Sequence, residues 1–144
     1  MRRSVGGAMT FVAVAACLLL GVSVVNAQSG TVYFDPAKAT FKELIPGVSA
    51  AVVWGDMDKG PYGAFIKFVP GHRDALHPHT NASHMVVLKG AYIHKPEQGA
   101  EQRVGAGQFL MIPGGDRHVT ECDAKEGALF YLESDKGFDL KPVE

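Results

Sequence analysis

All six histidines of the chain fall between His72 and His118. Four of them lie in the stretch Gly71-His72-Arg73-Asp74-Ala75-Leu76-His77-Pro78-His79-Thr80-Asn81-Ala82-Ser83-His84. His77 and His79 are two positions apart, and on an extended strand residues i and i+2 share a face. Two imidazoles on one face chelate a metal ion when a third ligand arrives from elsewhere. His118 is the candidate third ligand. It follows Gly107-Gln108-Phe109-Leu110-Met111-Ile112-Pro113-Gly114-Gly115-Asp116-Arg117, in which an apolar run ends in a Pro-Gly-Gly turn that defines where the histidine stands. His84 is a fourth candidate. Taken alone, His77 and His79 read better as exposed loop histidines beside Pro78; the second segment turns the balance to metal binding.

Three neutral imidazoles leave the full charge of a divalent ion uncancelled. Such a site favours an anionic ligand: an enolate, a carboxylate or hydroxide. Imidazole ligation suits iron and zinc first, with manganese, nickel and copper as further candidates. Three protein ligands leave positions open for water, substrate or dioxygen. A zinc ion there would act as a Lewis acid or a source of hydroxide. Each ligating histidine also needs an acceptor for its other ring nitrogen.

These residues must be positioned by short strands. Apolar runs at 48–54, 64–69, 84–88, 91–94, 109–112, 118–122 and 127–133 are broken by Gly55-Asp56, Pro70-Gly71, Lys89-Gly90 and Pro113-Gly114-Gly115. Strands of this length between turn residues indicate an all-β sandwich or barrel. A short helix is expected at 36–44, with Asp35 as N-cap and Pro36 at the first position. No linker or repeat divides the chain, so one domain is expected.

The N-terminus reads as an export signal. Met1-Arg2-Arg3 is basic, 8–25 is almost wholly apolar, and Val25-Asn26-Ala27 offers small residues for cleavage. A retained anchor is the second reading. A lipoprotein is the third, from Val14-Ala15-Ala16-Cys17, disfavoured because Leu18-Leu19-Leu20 continues the apolar run. Cleavage after Ala27 leaves about 117 of the 144 residues, at a net charge of about −3. The expected domains are therefore a signal at 1–27 and a periplasmic or secreted domain at 28–144, not membrane-bound after cleavage. A weakly acidic domain is a poor nucleic-acid binder, and this one is too short for a TIM barrel. Cys17 lies in the signal, so Cys122 has no partner for an intramolecular disulfide.

The two histidine segments resemble the signature motifs of the cupin superfamily. In the first motif, G-x5-H-x-H-x3,4-E-x6-G, Gly71, His77, His79 and Gly90 match; in the second, G-x5-P-x-G-x2-H-x3-N, Gly107, Pro113, Gly115 and His118 match. Trp54-Gly55-Asp56, Gly60-Pro61-Tyr62-Gly63 and Phe138-Asp139-Leu140-Lys141-Pro142 further resemble small cupins of the DUF4437 and ChrR-like type. The resemblance implies a single jelly-roll barrel, a monocupin, paired as a homodimer. It implies a metal site of His77, His79 and His118, and a small-molecule ligand. Some cupins with three-histidine iron sites cleave diketone-like substrates with dioxygen, so the resemblance implies a dioxygenase-like enzyme. The alternative is a non-catalytic cupin that binds or senses a metal or small ligand. The sequence departs from the pattern twice. Ser83 or His84 stands where the glutamate belongs, and Cys122 stands in place of the asparagine. If Ser83 points inward, alternation turns His84 outward; a bulge would reverse this.

The remaining candidates have plain readings. His72 and His94 are expected at the surface, and Asp116-Arg117 in a solvated turn. Cys122 is expected as a small buried side chain rather than a redox thiol. Trp54 fits a pocket or a core position equally. Met57, Met85 and Met111 fit core or loop better than metal ligation, and Tyr62, Tyr92 and Tyr131 fit core packing with bonded hydroxyls. Asn81-Ala82-Ser83 matches a glycosylation sequon, read as chance because it lies inside the histidine motif.

Overall fold

The turn-punctuated apolar runs become strands. The computed structural model describes residues 30–141 and 143; the expected signal at 1–27 lies outside the described residues. Eight strands follow in order: β1 Lys42–Ile45, β2 Val48–Gly55, β3 Tyr62–Phe68, β4 Ser83–Pro96, β5 Gln102–Gly105, β6 Phe109–Ile112, β7 His118–Cys122 and β8 Ala128–Ser134. Every pairing is antiparallel, in the order β1-β2-β3-β8-β4-β5, with β6 and β7 also on β4. This is the expected all-β jelly-roll barrel.

Strand β4 organises the barrel because it belongs to two sheets. Its first half lies between β8 and β6, with Met85 opposite both Leu132 and Leu110. Its second half lies between β5 and β7, with Tyr92 opposite both Val104 and Cys122. The expected break at Lys89-Gly90 is not a break. It is a register shift between Val87 and Lys89 inside one continuous strand, and such a bulge bends and twists the strand that carries it. Gly90 takes φ of 67° there, and a Cβ on it would stand 2.0 Å from the Gly127 carbonyl oxygen.

Alternation fills the interior. Tyr62, Ala64, Ile66 and Phe68 of β3 face inward, as do Ala128, Phe130, Leu132 and Ser134 of β8. Phe130 makes edge-to-face contacts with Phe68 at 5.3 Å and with Tyr92 at 5.4 Å, each pair worth about 0.5–1.5 kcal/mol beyond its buried area. The Tyr92 hydroxyl pairs with Thr120 Oγ1 at 2.7 Å, so this buried polar group is satisfied.

The helix expected at 36–44 does not form. Asp35 caps as read, accepting the Ala37 amide on Oδ1 and the Lys38 amide on its carbonyl, both at 3.0 Å. The structure continues only as one turn, because Lys42–Ile45 is drawn into pairing with β2. Nine residues are too few for a helix to hold against such a partner.

Replacing Gly90 with alanine is expected to cost about 2–4 kcal/mol, through a clash with backbone and a strained φ. The measurement is the urea midpoint. A midpoint equal to that of the parent would show that the bulge relaxes without penalty.

Candidate metal centre

The segment before β4 runs antiparallel beside β7. The Cys122 amide donates to the His72 carbonyl, Asp74 to Thr120, and His77 and His118 exchange both backbone bonds, at 2.9 and 3.1 Å. Directly paired residues on adjacent strands put their side chains on one face, and the two imidazole centroids lie 4.7 Å apart. His79 follows two residues later on the same face, 4.9 Å from His77 and 5.7 Å from His118. The Pro-Gly-Gly turn locks the two segments together. Gly115 donates to the His79 carbonyl at 2.8 Å, and a Cβ on Gly114 would sit 2.3 Å from the Thr80 carbonyl oxygen. The turn therefore needs glycine for backbone approach, a reason distinct from marking a strand end.

Each imidazole is oriented by a backbone carbonyl. His77 Nδ1 donates to Ala75 at 2.8 Å, His118 Nδ1 to Asp116 at 3.0 Å, and His79 Nδ1 to Asp139. A carbonyl accepts only, so the proton sits on Nδ1 and the lone pair on Nε2. One ring nitrogen from each of the three lies within 4.8 Å of the other two. His118 Nε2 is buried with no hydrogen-bond partner among the described residues. An orphaned buried acceptor is costly, and a cation among three lone pairs would satisfy it. The donor set thus fits a divalent metal. Backbone carbonyls as outer partners are what ligating histidines need.

Burial disfavours the charged form of two of the rings. Burial lowers the His79 pKa, with the neighbouring His77 adding to the effect. Burial also brings His118 down to about 4, helped by His77, His94 and His79.

His84 is not brought to this cluster. Ser83 faces the interior at 7% exposure, and β4 runs against β6 without a bulge from Ser83 to Val86. Alternation therefore turns His84 outward, where it stacks on Phe109 with centroids 6.4 Å apart. His94 and Asp116, expected at the surface, instead form a layer behind His118. Asp116 Oδ2 lies 2.9 Å from His94 Nε2 and 3.2 Å from His118 Nδ1. These three also have ligand spacing, but Asp116 already engages His94 Nε2 through its carboxylate and His118 Nδ1 through its carbonyl, so we assign them support of His118. His72 is likewise partly buried, with Nε2 2.7 Å from Asp74 Oδ1.

His77 and His79 border a cavity of about 250 Å³ whose lining also includes Val48, Ile66, Met85, Phe130 and Leu132, together with Tyr62 and Asp74. Residues 137–141 form a strap across one side. Asn81 Nδ2 donates to the Gly137 carbonyl at 3.1 Å, Phe138 donates to Met57 and Lys141 to Pro78. The Asp139 carboxylate accepts from the Thr80 amide at 2.8 Å and from the Thr80 hydroxyl. Trp54 lies outside the cavity, donating to the Tyr131 hydroxyl at 2.8 Å on the outer face. Met85 lines the cavity, Met57 packs in the core and Met111 is exposed. Cys122 is buried, its thiol donating to the Val69 carbonyl at 3.1 Å and raised in pKa by burial.

A jelly-roll barrel with His-x-His beside one end of β4 and a third histidine opening β7 defines a cupin. More narrowly, the chain belongs to the family of the ChrR cupin-like domain, whose model matches residues 29–136. Among solved structures it is similar to the polyketide cyclase RemF from Streptomyces resistomycificus, with TM-score 0.66, 15% identity, and 80% of this chain and 87% of that one covered. It is similar to KdgF from Halomonas sp., with TM-score 0.58, 20% identity, and coverage of 72% and 94%. A chain of the Rhodobacter sphaeroides complex of SigE with the anti-sigma ChrR gives TM-score 0.55, 18% identity, and coverage of 70% and 51%. At these identities the likeness is one of fold. No curated protein matches the chain at a significant level.

The lowered histidine pKa values give a pH dependence for the metal-free protein. The unfolded chain protonates near 6.5 while folded His118 waits until about 4. The unfolded state therefore binds more protons between those values, and stability rises with pH across that window. Urea midpoints should fall steadily from pH 6.5 to 4, and more shallowly in His118→Gln. An identical slope in that variant would remove His118 as the source.

Proposed function

We propose that this chain is an exported metal-binding cupin, acting as a metal-dependent, dioxygenase-like enzyme on a small anionic organic molecule. The observation that carries the reading is the set of three imidazoles with each Nδ1 committed to a carbonyl, each Nε2 left free, and one nitrogen of each ring within 4.8 Å of the others. His77, His79 and His118 would hold the ion, with iron or zinc the leading choice. When bound, the ion supplies positive charge and open coordination positions to a substrate oxygen. The chain does the rest. Ala75, Asp116 and Asp139 fix the ring orientations, and the apolar wall excludes water. Ser83, where the superfamily pattern has glutamate, adds no charge, which leaves the site receptive to an anion. The basic start and apolar run before Gln28 support cleavage after Ala27 and a periplasmic or secreted domain at 28–144. No helix among the described residues is long and apolar enough to cross a membrane.

A second reading is supported by the family match to the ChrR cupin-like domain: a non-catalytic cupin that binds or senses a metal or ligand. Oxygen uptake by the iron-loaded protein with a panel of 1,3-diketones and related acids separates the two. Uptake supports the enzyme; metal and ligand binding without turnover supports the sensor.

Elemental analysis of untagged protein tests the shared premise. We expect close to one ion per chain, lost in both His77→Ala and His118→Ala. Chelation should lower the thermal midpoint by about 5 °C or more. Protein that takes up no ion from a mixture of iron, zinc, manganese, nickel and copper would sink the reading.

We also propose a homodimer. Phe65, Tyr131, Val86 and Phe109 stand in register across β3, β8, β4 and β6 on the outer face. Phe109 is 61% exposed, with Leu88 and Met111 nearby at 45% and 48%. Apolar stripes of this kind mark association surfaces. Sedimentation should give a dimer that Phe109→Asp converts to monomer; a monomeric parent protein refutes it.

A further inference from the structure

We infer that the cavity beside the imidazoles takes a monoanion built from one apolar ring with a single acidic head, and that Tyr62 donates the hydrogen bond that holds the head. The inference rests on the metal reading above for its head and on the cavity alone for its ring.

Size comes first. The cavity measures about 250 Å³, and an apolar cavity of roughly 150 Å³ holds a benzene. The space therefore suits one ring with a short substituent. Leu44, Ile45, Phe138 and Leu140 line the cavity yet are 36–39% exposed. They form its mouth, so a ligand meets apolar side chains on entry as well as inside. A polyhydroxylated acid would bury hydroxyls against Val48, Ile66 and Phe130. Each unpaired hydroxyl weakens binding by roughly tenfold.

The polar groups of the lining are few, and most are already engaged. Tyr92 and Thr120 hydrogen-bond each other. Asp74 is tied to His72. Tyr62 is 1% exposed, and its hydroxyl has no hydrogen-bond partner among the described residues, unlike that of Tyr92. Tyr62 borders a narrow crevice with His79, Ser83 and Asp139, which places it on the imidazole side. Burial and the Asp139 charge raise its pKa, so it remains a phenol whose O–H can donate to an anionic oxygen. The lining already carries the Asp74 carboxylate, and Asp116 and Asp139 stand close behind the rings, so a second negative charge on the ligand would be repelled and a single one is favoured.

The test is calorimetric titration of the metal-loaded protein with benzoate, cyclohexanecarboxylate, acetate, glucuronate, phthalate and toluene. Metal content is measured on the same samples. Benzoate and cyclohexanecarboxylate should bind at least about tenfold tighter than acetate, glucuronate and phthalate. Tyr62→Phe should weaken benzoate by about tenfold while leaving toluene and the thermal midpoint unchanged. Glucuronate or phthalate binding as tightly as benzoate overturns the ring or the single charge, and unchanged benzoate affinity in Tyr62→Phe overturns the tyrosine. Metal retained with neither benzoate nor toluene bound overturns this inference and leaves the metal reading standing. No metal retained sinks the metal reading and, with it, the acidic head.

Discussion

The two reciprocal backbone hydrogen bonds between His77 and His118 are the constraint on which the site depends. They join a segment that precedes β4 to one that follows β6, and they set two imidazoles side by side before any ligand is present. A metal site assembled from loops alone would have to order those loops at an entropic cost each time it formed. Here the sheet has already met that cost, and the ring orientations follow from carbonyls that are part of the same backbone. The close packing of Gly114 on Thr80 extends the clamp to His79.

The barrel exists to hold that clamp over a cavity. Strand β4 does this by changing sheets at Gly90, so that its first half supplies inner wall through Ser83, Met85 and Val87 and its second half pairs with β7, which begins at His118. The curvature of a closed sheet needs such a kink. One strand thereby links the cavity, the outer apolar stripe and the sheet that carries His118.

Much of this was legible in the sequence, for reasons that are local. The spacing of His77 and His79 and the turn before His118 carry their geometry within a few residues, and so does the regular run of short strands. Other features depend on contacts that pattern cannot show. The orientation of His84 hinges on whether the ladder from Ser83 is interrupted, and only pairing with β6 decides that it is not. Lys89-Gly90 looks like a turn and acts as a bulge because β8 continues past it. Strands β1 and β5 lack strong apolar alternation and take their form from their partners. Asp74 stands two residues from His72, a spacing that on a strand beside β7 hints at a pair; Asp116 and Asp139 gave no such signal. Asp116 looked solvated until His94 folded against it, and Asp139 reaches His79 from the far end of the domain.

The three imidazoles differ in how their outer partners are supplied. His77 and His118 each bond a carbonyl two residues earlier, whereas His79 bonds Asp139. His79 alone therefore takes its orientation from a distant segment, which Asn81 and Thr80 hold in place. A displacement of residues 137–141 would free one ring of the three and leave the other two as they stand.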